Sequence, residues 1–546
     1  MTEVREATEV AEVTAPKDTA EPRPAPASWA EEFPWLFEYR YLLLCAALVV
    51  MTFLYLLKFQ WPGGVDLWEH AAAARELGAR PFNPRHPLLP VDRPHQFFSP
   101  YLMGVGLFSR FTGLSIVNAL NFAAVFNLVL VLVGLRLFVR RLTSRPHVDF
   151  YALLFILFLW GPGAWFFSGF LHFDVIVVVL SYPSTFCKGL VFLSLWAHIN
   201  YIEKDDTRWL LPTLVMATVI FLSHPVDAIF LGIGVLALSV SLPGTRGRHA
   251  VLTVATMAGA FLLAFAWPPL PFFDLLFGEA TEGYRRSIAG ADRDMYVDIL
   301  PRLGLALVVV PFALHRLKSW RTDPLVLMFF GTLAAYAFGW YTDNWSYGRL
   351  IASVQVVGAI MLADERASIS EAAAAIGAAA APLLRWAQLT TAAIVILGIY
   401  YMRNGFDVLP ERIVDRLRYE WVHGYVDNID ISDYDFIAKN RRTYPIVISN
   451  VYTSMEVPTF GPKVIAFART QAFVDTAERG ADLARFYDSA STADVRRQVI
   501  AKYGASLLVV PVNDLVTDPN KYQPIAALGR EVARNKRFVF VDVRSP

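Results

Sequence analysis

The chain of 546 residues is 55% hydrophobic and 18% charged, with a formal net charge of +1; soluble domains usually devote roughly a quarter of their residues to charge. That balance excludes an ordinary soluble enzyme, and it excludes a nucleic-acid binder, which would display a basic excess. Cys45 and Cys187 are the only cysteines and both fall in apolar runs, so neither a disulfide framework nor a cysteine-held metal is expected.

Residues 1–34 are rich in Glu, Ala, Pro and Thr and lack an apolar core, which predicts a disordered cytoplasmic tail and not a cleaved signal. A bilayer span needs about 20 mostly apolar residues. Eleven segments meet that need: 41–59, 116–138, 150–170, 181–202, 209–224, 226–242, 250–267, 299–316, 324–341, 346–363 and 386–402. A twelfth apolar stretch, "FFSPYLMGVGLFSRFTGL" (97–114), is interrupted by Arg110 and three glycines. The loops at 139–147, 243–249 and 315–323 are short and rich in Lys or Arg, which assigns them to the cytoplasm. All three share one side only if 97–114 does not cross, so that stretch is expected to lie along the outer face as a helix.

These readings give a polytopic α-helical membrane protein with about eleven spans. Residues 35–402 form the membrane domain, with a first outer loop at 60–115, and residues 403–546 lie outside the membrane. In that last region β-branched runs, "YPIVISN", "KVIAFA", "SLLVVPV" and "FVFVDV", alternate with helix-like stretches such as "ADVRRQVIAKYG" and "YQPIAALGREVARNK". The alternation predicts a small α/β domain with a largely parallel sheet.

The chemistry gathers on the outer side. "GGVDLWEH" (63–70) follows the first span, and a helix there would project Asp66, Glu69 and His70 from one face. His172, Asp174, Lys188, His224, Arg285, Arg286, Asp343 and Arg349 fall at the same membrane level. Charges near a bilayer cost several kcal/mol at its centre and less at its edge, so such groups usually face water or a partner. Bland readings stand beside this one: acids favour a helix amino terminus, an arginine snorkels to headgroups, and a histidine before proline caps a turn. Asp66, Glu69, His70 and Asp174 could supply oxygen and imidazole ligands, but no zinc or calcium spacing compels a metal. A divalent ion is left undecided, and no other cofactor is called for.

The stretch "VDLWEH", the aromatic "FFSPYL", the "SYPSTF" start of the fourth span, the "SHP" break after the fifth and the "YGRL" entrance to the tenth occur in an order that resembles the C-type membrane glycosyltransferases, which use polyprenyl-phosphate-linked donors. The resemblance implies a transfer of sugar from a polyprenyl phosphate to a glycan or lipid acceptor at the outer face of the cytoplasmic membrane, with inversion. It implies Asp66 as the general base, with Glu69 and His70 orienting the acceptor or tuning it. Arg349 becomes the donor-phosphate ligand, with Lys188 and His224 beside it. His172, Asp174, Arg285, Arg286 and Asp343 are further substrate-binding candidates. Against this stands a transporter or flippase of a lipid-linked or polar solute, which would show duplicated halves and a midplane site.

Overall fold

The computed structural model describes residues 38–58, 61, 63–64, 66–408 and 430–544. The expected tail at 1–34 lies outside them, as does part of the carboxy-terminal region.

The chain is a polytopic helical membrane protein carrying a sheet domain at its end. Seven helices among the described residues are long and apolar enough to cross a bilayer. The apolar segments read from the sequence become α1 (Arg40–Lys58), α4 (Ile116–Leu142), α5 (Val148–Phe158), α6 (Pro183–Lys204), α7 (Leu210–Ser223), α8 (Pro225–Ser241), α9 (Gly247–Phe265), α11 (Val309–Arg316), α12 (Pro324–Tyr341), α13 (Leu350–Ile376) and α14 (Ala381–Tyr401). Between them lie α2 (Leu67–Ala79) and α3 (Pro100–Thr112) in the first long loop, and α10 (Glu282–Asp292) in the loop after α9. Helix α6 is buried along most of its length and α13 along its first half, whereas α14 exposes Leu383, Trp386, Leu389 and Ile396. Large apolar groups turned outward are stable only where lipid replaces water.

Two expected spans differ. The helix expected over 150–170 stops at Phe158, and the one over 299–316 is broken into Ile299–Leu303, a 3-10 stretch at Gly304–Val308, and α11. The causes meet in space. The Gly161 amide donates to Arg302 O at 2.9 Å, and a Cβ on Gly161 would stand 1.8 Å from Pro301 O. Glycine alone permits that approach, and Gly304, at φ 45°, turns the partner segment.

The expected helix within 97–114 forms as α3, whose first turn is capped by Ser99 Oγ accepting from Leu102 N at 3.3 Å. It packs against α2 through paired glycines: a Cβ on Gly106 would lie 2.0 Å from Ala74 O, and one on Gly78 would lie 2.4 Å from Gly106 O. Gly106→Ala is therefore expected to destabilise the protein by about 1–3 kcal/mol through forced separation of the two helices, read as a lowered melting temperature in detergent.

The three basic loops converge on one end of the bundle. Arg145 and Arg316 both hold Asp364, at 2.8 and 3.0 Å. Arg141 pairs with Glu203, and His249 bonds Asp205 at 2.9 Å. Asp364 stands fifteen residues along α13 from Arg349, about 22 Å at 1.5 Å per residue, so the basic end and the Arg349 end are well separated.

The carboxy-terminal sheet has the order β2 (Lys463–Val464), β1 (Ile446–Ser449), β3 (Leu507–Pro511), β5 (Phe538–Asp542), β4 (Arg530–Arg534). It is mixed, and so departs from the largely parallel sheet expected: β1 pairs in parallel with β2 and β3, while β5 runs antiparallel to both β3 and β4. The departure comes from "YQPIAALGREVARNK", which is helical only to Ala526 and then supplies β4. Pairing along β5, from Arg530↔Asp542 to Arg534↔Val539, overrides the helix-like spacing of its apolar residues.

The sheet domain is seated on the first long loop. Val464 N donates to Leu88 O at 2.8 Å, and Thr459 Oγ1 to Trp68 O at 3.1 Å. Trp68, stacked on Trp61, also packs near Tyr434 and Phe460.

Candidate active site

Asp66 occupies the residue before α2, the position where an acid could merely cap the helix, yet its side chain makes no capping hydrogen bond. Its Oδ1 instead accepts from Tyr182 Oη, at the start of α6. Pro183, in the first turn of α6, fixes where that helix begins and holds Tyr182 in extended backbone. Oδ2 of Asp66 faces the Arg469 guanidinium at 3.8 Å, beyond hydrogen-bonding distance. Burial works to raise the carboxyl's pKa, but Arg469, His70 and the Tyr182 hydroxyl outweigh it and hold Asp66 below the usual carboxylate range. It is an ionised, half-open carboxylate with one oxygen held and the other free of a hydrogen-bonding partner among the described residues.

Glu69 and His70 serve different ends. The Glu69 side chain is 2% exposed against 40% for Asp66, which leaves Asp66 as the acid a substrate can reach. Oε1 of Glu69 accepts from Gln96 at 2.7 Å and Gln471 at 3.2 Å, with His95 Nε2 at 3.2 Å. Gln96 and Gln471 also bond each other at 3.1 Å. This clasp joins the first loop to the carboxy-terminal domain, and Glu69 Oε2 stands 3.9 Å from Arg469. His70 stacks on Phe97, centroids 4.1 Å apart, and meets the edge of Tyr182. Burial lowers its pKa to about 4, so at neutral pH it is an uncharged imidazole.

Arg349, at the entrance to α13, donates through Nε to Asp292 Oδ1 at 2.9 Å and through Nη1 to Ser168 Oγ at 3.2 Å, with its guanidinium over Phe167. Asp292 thus aims the guanidinium. Arg349 and Asp66 lie within electrostatic reach of each other. Tyr284 of α10 stands within reach of Glu69, Arg469, Arg349 and Asp292 together. One acid and two guanidinia from three distant parts of the chain therefore surround a single region.

The remaining candidates are engaged elsewhere. Lys188 donates to Asp227 Oδ1 at 2.6 Å and Ser353 Oγ at 2.7 Å, and His224 Nδ1 lies 2.8 Å from Asp227 Oδ2; this is a buried pair between helices, and the lysine's charge is already met. His172 bonds Trp165 O at 2.9 Å within a cage of Trp160 and Phe170. Asp174 accepts from Gly405 N at 2.8 Å and Asn404 at 3.2 Å, tying its loop to the segment after α14. Arg285 is spent on Gly278 O and on Thr281, Arg286 pairs with Glu282 in solvent, and Asp343 is an exposed turn residue at φ 54°. Among the described residues no three His, Cys, Asp or Glu side chains converge as a metal site.

Tyr182, Asp292 and Arg469 are participants that sequence reasoning did not single out. "SYPSTF" contains Tyr182 and marks a helix start, so that signal was present. Arg469, in "AFARTQAF", carries no local signature; only the fold brings it to Asp66.

No family model matches the chain, and no curated protein matches it either. Solved structures do. The oligosaccharyltransferase of Archaeoglobus fulgidus, in the apo form, is 13% identical over 90% of this chain and 72% of its own, with a TM-score of 0.54. ArnT from Cupriavidus metallidurans, bound to undecaprenyl phosphate, is 14% identical over 92% of this chain and 98% of its own, with a TM-score of 0.53. AglB from Archaeoglobus fulgidus, in complex with an inhibitory peptide and a dolichol-phosphate, is 13% identical over 90% and 71%, with a TM-score of 0.50. At these identities the likeness is one of fold.

Proposed function

We propose that this chain, which has the fold of the C-type membrane glycosyltransferases, moves a sugar from a polyprenyl phosphate to a hydroxyl of a glycan or lipid acceptor. The observation that carries this reading is Asp66 itself: ionised, open at Oδ2, and within electrostatic reach of Arg349. A sugar hydroxyl becomes a competent nucleophile when a positioned carboxylate takes its proton as the new bond forms. Asp66 Oδ2 accepts that proton, the acceptor oxygen bonds to the anomeric carbon, and the bond from that carbon to the phosphate oxygen breaks, its electron pair leaving with the lipid phosphate. A single displacement inverts the anomeric centre.

The departing phosphate gains negative charge, and fixed cations stabilise it best. Arg349, oriented by Asp292, fills that role with the planar fork suited to phosphate oxygens. Lys188 and His224 are left out because Asp227 already holds them. On this reading the polyprenyl tail lies against the lipid-facing apolar surface of the helices. The three basic loops gathered at one end of the bundle support a cytoplasmic placement of that end; the reading accordingly has Asp66, Arg349 and the sheet domain at the outer face of the cytoplasmic membrane.

Purified protein with undecaprenyl-phosphate-linked glucose, mannose, galactose and arabinose, and an envelope glycan extract as acceptor, tests the reading by release of undecaprenyl phosphate. Arg349→Ala is expected to lower kcat/KM by about 10²- to 10³-fold, with partial recovery in Arg349→Lys. Consumption of no donor, together with passage of a solute across sealed vesicles, replaces transfer with transport.

A further inference from the structure

Arg469 stands apart from the other charged groups of the site because it comes from the carboxy-terminal domain and because its guanidinium makes no hydrogen bond to any described residue. Its neighbours are carboxylates at 3.8 Å (Asp66) and 3.9 Å (Glu69). Two features hold it there. Gln471, two residues on, bonds Glu69, Gln96 and the Arg469 carbonyl, and Ala472 N donates to Gln96 Oε1 at 3.2 Å. The backbone just after the arginine is thus pinned to the first loop while the guanidinium is left in the region between Asp66 and Glu69.

We propose that Arg469 is the positioning residue of the general base, and that the carboxy-terminal domain is in this sense a part of the reaction centre. Tyr182 fills Oδ1 of Asp66. Oδ2 must stay ionised, so that it can accept a proton, and must stay free of hydrogen bonds, so that its lone pair can reach the acceptor. A cation at 3.8 Å satisfies both demands at once: close enough to favour the charged carboxylate, too far to occupy its lone pair. A directly bonded lysine or arginine would compete with the substrate for that lone pair. The groups that face Asp66 are Arg469 from the sheet domain, His70 from α2, Tyr182 just before α6, and Arg349 from the entrance to α13. His70 is neutral near pH 7, so removal of Arg469 takes away the nearest full positive charge.

The proposal rests on Asp66 as base, and the test separates the two. Activity is recorded against pH for the full chain and for Asp66→Asn, Arg469→Gln, Arg469→Met and Arg469→Lys, using the undecaprenyl-phosphate sugar that supports turnover. An opposite charge at this distance holds an aspartate down by about one pH unit or more. Arg469→Gln and Arg469→Met are therefore expected to move the acid limb of kcat/KM upward by about one pH unit, and Arg469→Lys to return it toward the parent. The guanidinium is about one third exposed, so the substitutions leave the packing intact, and the two neutral variants serve as checks on each other. An acid limb that stays in place in both neutral variants overturns the proposal, whether or not their activity falls, because loss without a shift marks a structural role. Full activity in Asp66→Asn overturns the base assignment and the proposal with it.

Discussion

Asp66→Asn is expected to lower kcat by about 10²- to 10⁴-fold, the usual contribution of a positioned general base, while binding of undecaprenyl phosphate changes little. The amide keeps the size of the side chain and can still accept from Tyr182, so the local fold should persist. It cannot take a proton at neutral pH, and so the loss falls on the chemical step. The measurement is a pair: turnover of a donor sugar, and the affinity for undecaprenyl phosphate by competition. A fall in affinity with kcat unchanged would move Asp66 from the proton-transfer role to substrate binding. Glu69→Gln provides the contrast. Because Glu69 is buried in the clasp with Gln96, Gln471 and His95, its loss should be seen first in how the carboxy-terminal domain is seated.

Lys188→Ala is expected to be damaging for a different reason. Lys188 is the buried partner of Asp227 and Ser353, between α6, α8 and α13. Removing one member of a buried ion pair strands the other, and the cost is typically about 3–5 kcal/mol. The variant should accumulate poorly and melt well below the parent in detergent. Lys188→Met combined with Asp227→Leu removes both charges and should recover much of that loss. A Lys188→Ala protein that melts like the parent and shows only a weakened donor KM would return Lys188 to the phosphate site.

Much of the membrane architecture was legible in the sequence because its cause is local: an apolar run of the right length has few alternatives in lipid. The convergence of the basic loops was legible for the same reason, since "VRRLTSRPH" and "HRLKSWRTD" state their charge directly. The breaks at Gly161 and Gly304 were not. Each glycine was visible, but the need for them arises from two backbones approaching one another across 140 positions of sequence. The strand at Arg530–Arg534 was hidden by its helix-like spacing until β5 gave it a partner. Within the site the same division holds. Asp66 and Arg349 stand in motifs whose order carries meaning. Arg469 is one arginine among many, and its place is set by a network that reaches from Glu69 to Gln471. That Lys188 is matched by Asp227 on another helix was not legible, because membrane depth alone carries no sign of such a partner.

The clasp between Glu69 and Gln471 spans 402 positions of the 546-residue chain. The apolar helices can be threaded into the bilayer one after another as synthesis proceeds, yet Arg469, the guanidinium beside Asp66, is made 403 residues after it. A nascent protein thus holds Asp66 without its guanidinium neighbour until translation has passed position 469. On the reading proposed above, a chain cut short before position 469 is expected to reach the bilayer with the Asp66 site unfinished.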